Sequence, residues 1–443
     1  MLPSSATVPS SSRVLGFWTA VALVMGNMIG SGVFLLPASL APFGGVALIG
    51  WFVSAAGSVC LALVFARLST FTPASGGPYA YTRHAFGDVA GFLVAWGYWI
   101  SIWCSEAALA VALVGYLDPF VPSLVRAPGP AAVLAIGFVC LLTLVNVIGV
   151  RTAGRVQVVT TVLKILPLVL VGVGGLFALD PSHFAVTSTD PRTVAHGISA
   201  TATLTLWAFL GLECATIPAG SIQSPEVTIP RATVAGTVVT AAIYIISTIG
   251  VLGLLAPAAL SASTAPYADA AQVLVGPRAA ALVAIGAAIS CFGALNGWIL
   301  VSGQLPLAVA ADGLFPRVFG RVSGRGTPAR AMVIAAILAS GLIAMNYSRT
   351  LVQLFTFIIL LATLSTLVPY AFCSMAALLV GGGPPRTRLT RAAASVAVLG
   401  FAYSIYAIVG AGADVVYSGF ILLLCGLPVY VWVVRQGPSR PHA

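Results

Sequence analysis

Gly26-Asn27-Met28-Ile29-Gly30-Ser31-Gly32, followed by Val33-Phe34-Leu35-Leu36-Pro37, lies inside an apolar run long enough to cross a bilayer. Three glycines with an asparagine and a serine in seven residues make a poor continuous helix. A break there would free backbone N–H and C=O groups at mid-membrane, which is tolerated only where they line a cavity or meet a ligand. The N–H groups that open a half-helix suit a carboxylate. The same glycines also read as a packing face for a neighbouring helix. The rest of the chain decides between the two.

Of the 443 residues, 59% are hydrophobic and 7% charged, with a mean hydropathy of +1.06. A soluble domain carries about 25% charged residues, so the composition is that of an integral membrane protein. Twelve runs are apolar enough to span: roughly 14–38, 43–66, 89–116, 130–149, 153–178, 194–221, 232–256, 278–309, 328–346, 350–380, 392–411 and 415–434. The first 13 residues are polar and lack a cleavage site after a short apolar stretch, so the first run reads as a span rather than a signal peptide.

The net charge of +10 reads as topogenic rather than as nucleic-acid binding, because the basic residues sit in short loops. With both termini cytoplasmic, fifteen arginines face inside: Arg13, Arg67, Arg83, Arg151, Arg155, Arg231, Arg317, Arg321, Arg325, Arg330, Arg386, Arg388, Arg391, Arg435 and Arg440. Four, Arg126, Arg192, Arg278 and Arg349, face outside. This asymmetry predicts twelve spans with both ends inside. The expected division is a cytoplasmic tail 1–13, a core of ten spans over 14–380, two further spans over 381–435 and a cytoplasmic tail 436–443. No GxxxxGK[ST] loop, CxxC pair or metal-ligand spacing occurs, so neither ATP-driven transport nor a metal or other cofactor is indicated.

Ionisable groups inside spans are functional candidates by default. Glu106, Lys164 and Glu213 fall in the third, fifth and sixth spans; the alternative reading is an ion pair that only joins helices. The sixth span, Thr205-Leu206-Trp207-Ala208-Phe209-Leu210-Gly211-Leu212-Glu213, is again interrupted by glycine beside a polar group. Breaks in spans one and six are the pattern of two five-helix repeats with a ligand site at their interface. Trp207 and Trp298 could stack on a cation, though each alone reads equally as packing. Together these features suggest a ligand with both charges: a carboxylate at the first break and a cationic end near the aromatics and Glu106. An intramembrane enzyme would need a catalytic constellation, and a channel a continuous polar pore.

The ordered landmarks point the same way. To the first break are added Gly76-Gly77-Pro78-Tyr79-Ala80-Tyr81, the sixth-span segment from Leu206 to Glu213 and Ser224-Pro225-Glu226-Val227-Thr228-Ile229-Pro230. Ala310-Ala311-Asp312-Gly313-Leu314-Phe315-Pro316 and Thr366-Leu367-Val368-Pro369-Tyr370 follow. Over nearly its whole length the sequence resembles the amino acid–polyamine–organocation (APC) transporters, in their basic amino acid/polyamine antiporter branch, and most of all the arginine–agmatine exchangers. The resemblance implies an all-α fold of twelve transmembrane helices: a 5+5 inverted repeat with helices 1 and 6 broken, plus two peripheral helices. It implies a homodimer in the inner membrane that exchanges a cationic amino acid for its decarboxylated amine. A proton-coupled, sodium-independent symporter of the same superfamily is the alternative.

By the same resemblance, Asn27, Ile29, Ser31 and Gly32 take the substrate's carboxylate and α-amino group. Trp207 occludes the substrate and Trp298 stacks on its cationic head. Ser101, Glu106, Leu210 and Ala362 complete the pocket. Tyr98, Glu213 and Tyr370 form the gate, and Glu213 answers to protons. Three positions depart from the exchanger pattern: Glu106 stands for an asparagine, Ala362 for a serine and Leu109 for a methionine. Lys164 resembles the lysine of proton-coupled relatives, so proton coupling is expected of Glu213 and Lys164.

Overall fold

A computed structural model describes residues 15–186, 190–263, 265–345, 351–380 and 390–436, with backbone alone at 150–155, 157, 351–357 and 414. The expected tails, 1–13 and most of 436–443, lie outside the described residues, as do Arg13, Arg349, Arg386, Arg388 and Arg440. Among the described residues the secondary structure is helical, apart from one parallel bridge between Leu15 and Ile222. That follows from the solvent. Lipid offers no partner to a backbone N–H or C=O, and a helix satisfies them all locally.

The first half of the chain runs through α1 (Phe17–Met28), α2 (Ser31–Leu40), α3 (Val46–Phe71), α4 (Pro78–Phe86), α5 (Asp88–Gly115), α6 (Pro122–Val125), α7 (Pro128–Ile148) and α8 (Val150–Leu176). The second half begins with α9 (Pro191–Leu206), α10 (Pro225–Leu254), α11 (Pro257–Ala262) and α12 (Pro266–Val275), and continues with α13 (Pro277–Ala311), α14 (Ala329–Met345) and α15 (Leu351–Leu379). Last come α16 (Arg391–Gly410), α17 (Ala413–Leu424) and α18 (Gly426–Arg435). Eight of these helices open on proline, where the missing N–H is one the helix could not use.

Among the described residues, eleven segments are long and apolar enough to cross a membrane. α14, at 17 residues, is about 26 Å long, short of the ~30 Å of a hydrocarbon core; it ends where the described residues stop. The helices pack in matched pairs: α1 on α10 as α9 on α3, α5 on α15 as α13 on α8, α8 on α10 as α15 on α3, and α7 on α13 as α14 on α5. Small residues allow the closest crossings. A Cβ on Gly175 of α8 would lie 2.6 Å from Gly250 Cα of α10, and one on Gly172 would lie 2.8 Å from Ser247 Cα. In the most apolar stretch of α5, 94% of residues are buried, against 28% in α16 and 6% in the α17–α18 span. The last helices are therefore peripheral.

Three features differ from the sequence expectation. The span expected at 415–434 is interrupted at Cys425 between α17 and α18, where Pro428 has no N–H to offer the Leu424 carbonyl. The loops expected around Gly77 and Tyr267 contain the helices α4 and α12. Beyond its break, the sixth span does not resume as an α-helix; it continues as short 3-10 turns, Cys214–Thr216 and Ala219–Ser221.

Candidate functional site

Both expected breaks are present and lie against each other. α1 stops at Met28; Ile29 and Gly30 are extended, and α2 starts at Ser31 without a side-chain cap. After α9 come a 3-10 turn Trp207–Phe209, an extended Leu210, and Gly211 at φ +108°. Gly211 is required twice over. Its φ lies in the region that favours glycine, and a Cβ there would stand 2.9 Å from Asn27 Cβ and 3.1 Å from the Asn27 carbonyl carbon.

The broken helix ends are treated differently. The carbonyl end of α1 carries partial negative charge and is met by the Lys164 ammonium, which donates to Gly26 O at 2.6 Å and Ile29 O at 2.5 Å. Ser290 also donates to Ile29 O, at 3.1 Å. The amide end of α2 instead faces a cavity lined by Asn27, Met28, Gly30, Ser31, Gly32, Leu109, Trp207, Leu210 and Trp298. The free space is about 10 Å³, the room of one water, so the side chains around it are drawn close together. A Cβ on Gly32 would lie 2.9 Å from the Trp207 ring, and one on Gly30 would lie 2.8 Å from Leu109 Cδ2. Both glycines let bulky side chains seal the break. The amide of Asn27 and the hydroxyl of Ser31 are buried with no hydrogen-bond partner. Such groups are costly to leave unpaired, and both face the cavity.

Six of the expected substrate residues, Asn27, Ser31, Gly32, Trp207, Leu210 and Trp298, thus share one cavity wall. Four do not line it. Ile29 has its carbonyl turned to Lys164 and Ser290. Ser101 is hydrogen-bonded to Thr366, which joins α5 to α15, and the Thr366 hydroxyl donates within α15 to Ala362 O at 3.0 Å. Glu106 is wholly buried on α5, about one helical turn before Leu109, which lines the cavity. Met28 and Gly30 line the cavity without having been singled out individually, since their part depends on how the break is oriented.

The expected gate residues do meet. The Tyr98 hydroxyl donates to Oε1 of Glu213 and the Tyr370 hydroxyl to Oε2, tying α5 and α15 to the sixth-span break. Tyr98 is eight residues before Glu106 on α5, about 12 Å along the helix axis. The Tyr98–Glu213–Tyr370 cluster therefore lies toward the end where α5 begins.

At that end a second cluster was missed. Asp312, just past α13, accepts from the Tyr79 hydroxyl at 2.7 Å and from Arg83 Nη1 at 2.7 Å; Arg83 Nε donates to Asp88 at 2.7 Å. Burial and the neighbouring Asp312 push the Tyr79 hydroxyl up from its ordinary range, so it stays a donor. Tyr79 and Asp312 both stand in the landmark motifs, but motif membership alone does not say that they touch. Among the described residues no group of three or more metal-ligating side chains comes together.

Comparison with known proteins agrees with this architecture. Residues 15–432 match the family model described as amino acid permease. The chain is 33% identical over 440 residues to the cadaverine/lysine antiporter of Escherichia coli (strain K12), covering 97% of each chain. It is 34% identical to the putative arginine/ornithine antiporter of Bacillus subtilis (strain 168), covering 97% of this chain and 98% of that one. It is 32% identical to the putrescine transporter PotE of Escherichia coli (strain K12), covering 95% and 96%. With its apolar helices, facing helix breaks and full-length match, the chain belongs to the amino acid permeases of the APC superfamily, and it is a multi-pass membrane transporter rather than an enzyme.

Proposed function

We propose that this protein exchanges a cationic amino acid, arginine-like, for its decarboxylated amine, agmatine-like, across the inner membrane by alternating access. The observation that carries the reading is the cavity at the α2 N-terminus, where the unpartnered Asn27 and Ser31 face Trp207 and Trp298. The α2 amides with Ser31 suit the substrate carboxylate, and Asn27 suits its α-amino group. Trp298 takes the cationic end on its ring face, and Trp207 covers the substrate. The relatives named for lysine, arginine, ornithine, cadaverine and putrescine fit this class. Tyr98, Glu213 and Tyr370 are the gate on the cytoplasmic side, with the Tyr79–Arg83–Asp312 cluster beneath it. Twelve spans, of which the first ten form two inverted repeats, both termini inside, and a homodimer complete the proposal; the matched helix pairings and the arginine asymmetry support the first two.

A second reading, a proton-coupled symporter, rests on Lys164 at the Gly26 and Ile29 carbonyls. One assay separates the two. Labelled arginine, lysine and ornithine are offered to proteoliposomes preloaded with agmatine, cadaverine or putrescine, and to empty vesicles under an inward proton gradient. Uptake that requires internal amine is expected. Uptake driven by the gradient into empty vesicles would replace exchange with symport.

A further inference from the structure

Three formally charged side chains are buried among the described residues: Glu106, Lys164 and Glu213. Two are matched, Lys164 by the carbonyls of Gly26 and Ile29 and Glu213 by the phenols of Tyr98 and Tyr370. Glu106 is not: neither carboxylate oxygen has a hydrogen-bond partner. The Ser302 hydroxyl of α13 bears on it, but that hydroxyl donates its one hydrogen to Ile299 O at 2.9 Å. It can still accept one. From its own helix, Cys104 is the titratable neighbour. The helices packed on α5 carry their basic residues at their ends: Arg83 and His84 on α4, Arg278 on α13, Arg330 on α14 and Arg435 on α18. Between those ends their titratable groups are Tyr79 and Tyr81 on α4, Cys140 on α7, Cys291 on α13, Tyr370 and Cys373 on α15, Tyr417 on α17 and Tyr430 on α18, none of them a cation.

A carboxylate in that setting cannot remain charged and alone, because an isolated buried ion either neutralises or finds a counter-ion. Resting on the cationic-substrate reading above, we propose that Glu106 is the coupling residue of this site: it holds either a proton or the cationic end of the substrate, each displacing the other. In the closed, substrate-free site the protonated carboxyl donates to Ser302 Oγ. When a cation enters and Leu109 yields, the carboxyl gives up its proton to the water of the open vestibule and the carboxylate pairs with the ammonium or guanidinium. When the cation leaves, one proton is taken back. The carrier then crosses the membrane in either state with the pocket charge balanced. Exchange dominates where cations are present on both sides, and a proton returns the carrier where they are not.

The test is a proton count on purified protein. Lysine, arginine and ornithine are each titrated calorimetrically in buffers of different ionisation enthalpy, from pH 5 to 8. For those that bind the wild type, release of about one proton per bound cation is expected on the acid side, with affinity falling about tenfold per pH unit there. Glu106→Gln is expected to release none, to lose that pH slope, and to bind norleucine and lysine with similar affinity. Glu106→Asp is expected to restore release, and Glu213→Gln to retain it while its gating is impaired. Wild-type binding without proton release, or release that survives in Glu106→Gln and disappears in Glu213→Gln, would overturn the proposal. Should Glu106→Gln not fold, the wild-type count and the Glu106→Asp variant still decide. Failure of the wild type to bind any of the three cations would overturn the substrate reading itself, which is a different outcome.

Discussion

At the scale of single residues, the two tryptophans and Glu213 act through different physics. Trp298 is buried on the cavity wall, where a desolvated cation–π contact is worth on the order of 2 kcal/mol, or roughly thirty-fold in affinity. Trp298→Leu is therefore expected to weaken binding of cationic substrates by that order and to leave neutral analogues within a few-fold. Equal losses in equilibrium binding would assign the ring to packing alone. Glu213 acts as a clasp rather than a substrate contact, since both its oxygens are taken by phenols from α5 and α15. Removing one donor leaves a buried oxygen unpaired, at about 1–3 kcal/mol. Tyr98→Phe and Tyr370→Phe should each lower the midpoint of thermal unfolding in detergent, and the double variant should show coupling between them. Glu213→Ala should keep binding, with its Glu106-dependent pH slope, but flatten the pH response of the transport step that follows binding between pH 5 and 8; an unchanged transport profile would remove Glu213 from the proton response.

At the scale of elements, the α1–α2 break is held open by a side chain from α8 that does not line the cavity. Charge-assisted bonds contribute about 1.5–3 kcal/mol each, and Lys164 makes two to α1. Lys164→Met is expected to lower both thermal stability and substrate affinity, because the α2 amides lose their fixed direction. Retained affinity with lost proton-driven uptake would instead favour the symporter reading. α4 is tied to the end of α13 through Tyr79, Arg83 and Asp312. The Arg83 and Asp312 side chains are 32% and 41% exposed, so the ion pair alone is worth no more than about 1 kcal/mol and weakens with salt. Asp312→Asn should loosen this end by a few-fold, read by mass spectrometry as faster thiol labelling of the buried Cys214 and Cys373. Unchanged labelling would make the cluster a surface ornament of the closed state.

At the scale of the whole molecule, the matched helix pairings are those that two halves packed through equivalent surfaces would make, with α16–α18 outside. Such an arrangement lets one half rock against the other while the site stays in place. The arginine asymmetry, fifteen to four, predicts an orientation with both termini inside. A green fluorescent protein fused after Ala443 should fluoresce, and alkaline phosphatase fused there should be inactive; the reverse pattern would invert the topology and place the Glu213 gate on the outside.

Much of this was legible in the sequence because it depends on local properties. Hydropathy and length determine where a chain crosses lipid, since the backbone has no other way to satisfy its polar groups there. Glycine clusters at Gly26–Gly32 and at Gly211 determine where the helix fails, since backbone freedom belongs to the residue. The interruption at Cys425 and the helices α4 and α12 were less visible, because short or weakly amphipathic segments carry little periodic signal. The pairing of the buried polar groups was not local at all. Lys164 reaches carbonyls 138 and 135 residues away, and Glu213 reaches phenols 115 and 157 residues away. The sequence alone determined that three charges lie in the membrane. Only the tertiary structure decided which two are answered by the protein and that neither oxygen of Glu106 meets a hydrogen-bond partner, because a hydrogen bond depends on ångströms and angles set by helices that meet only in the fold.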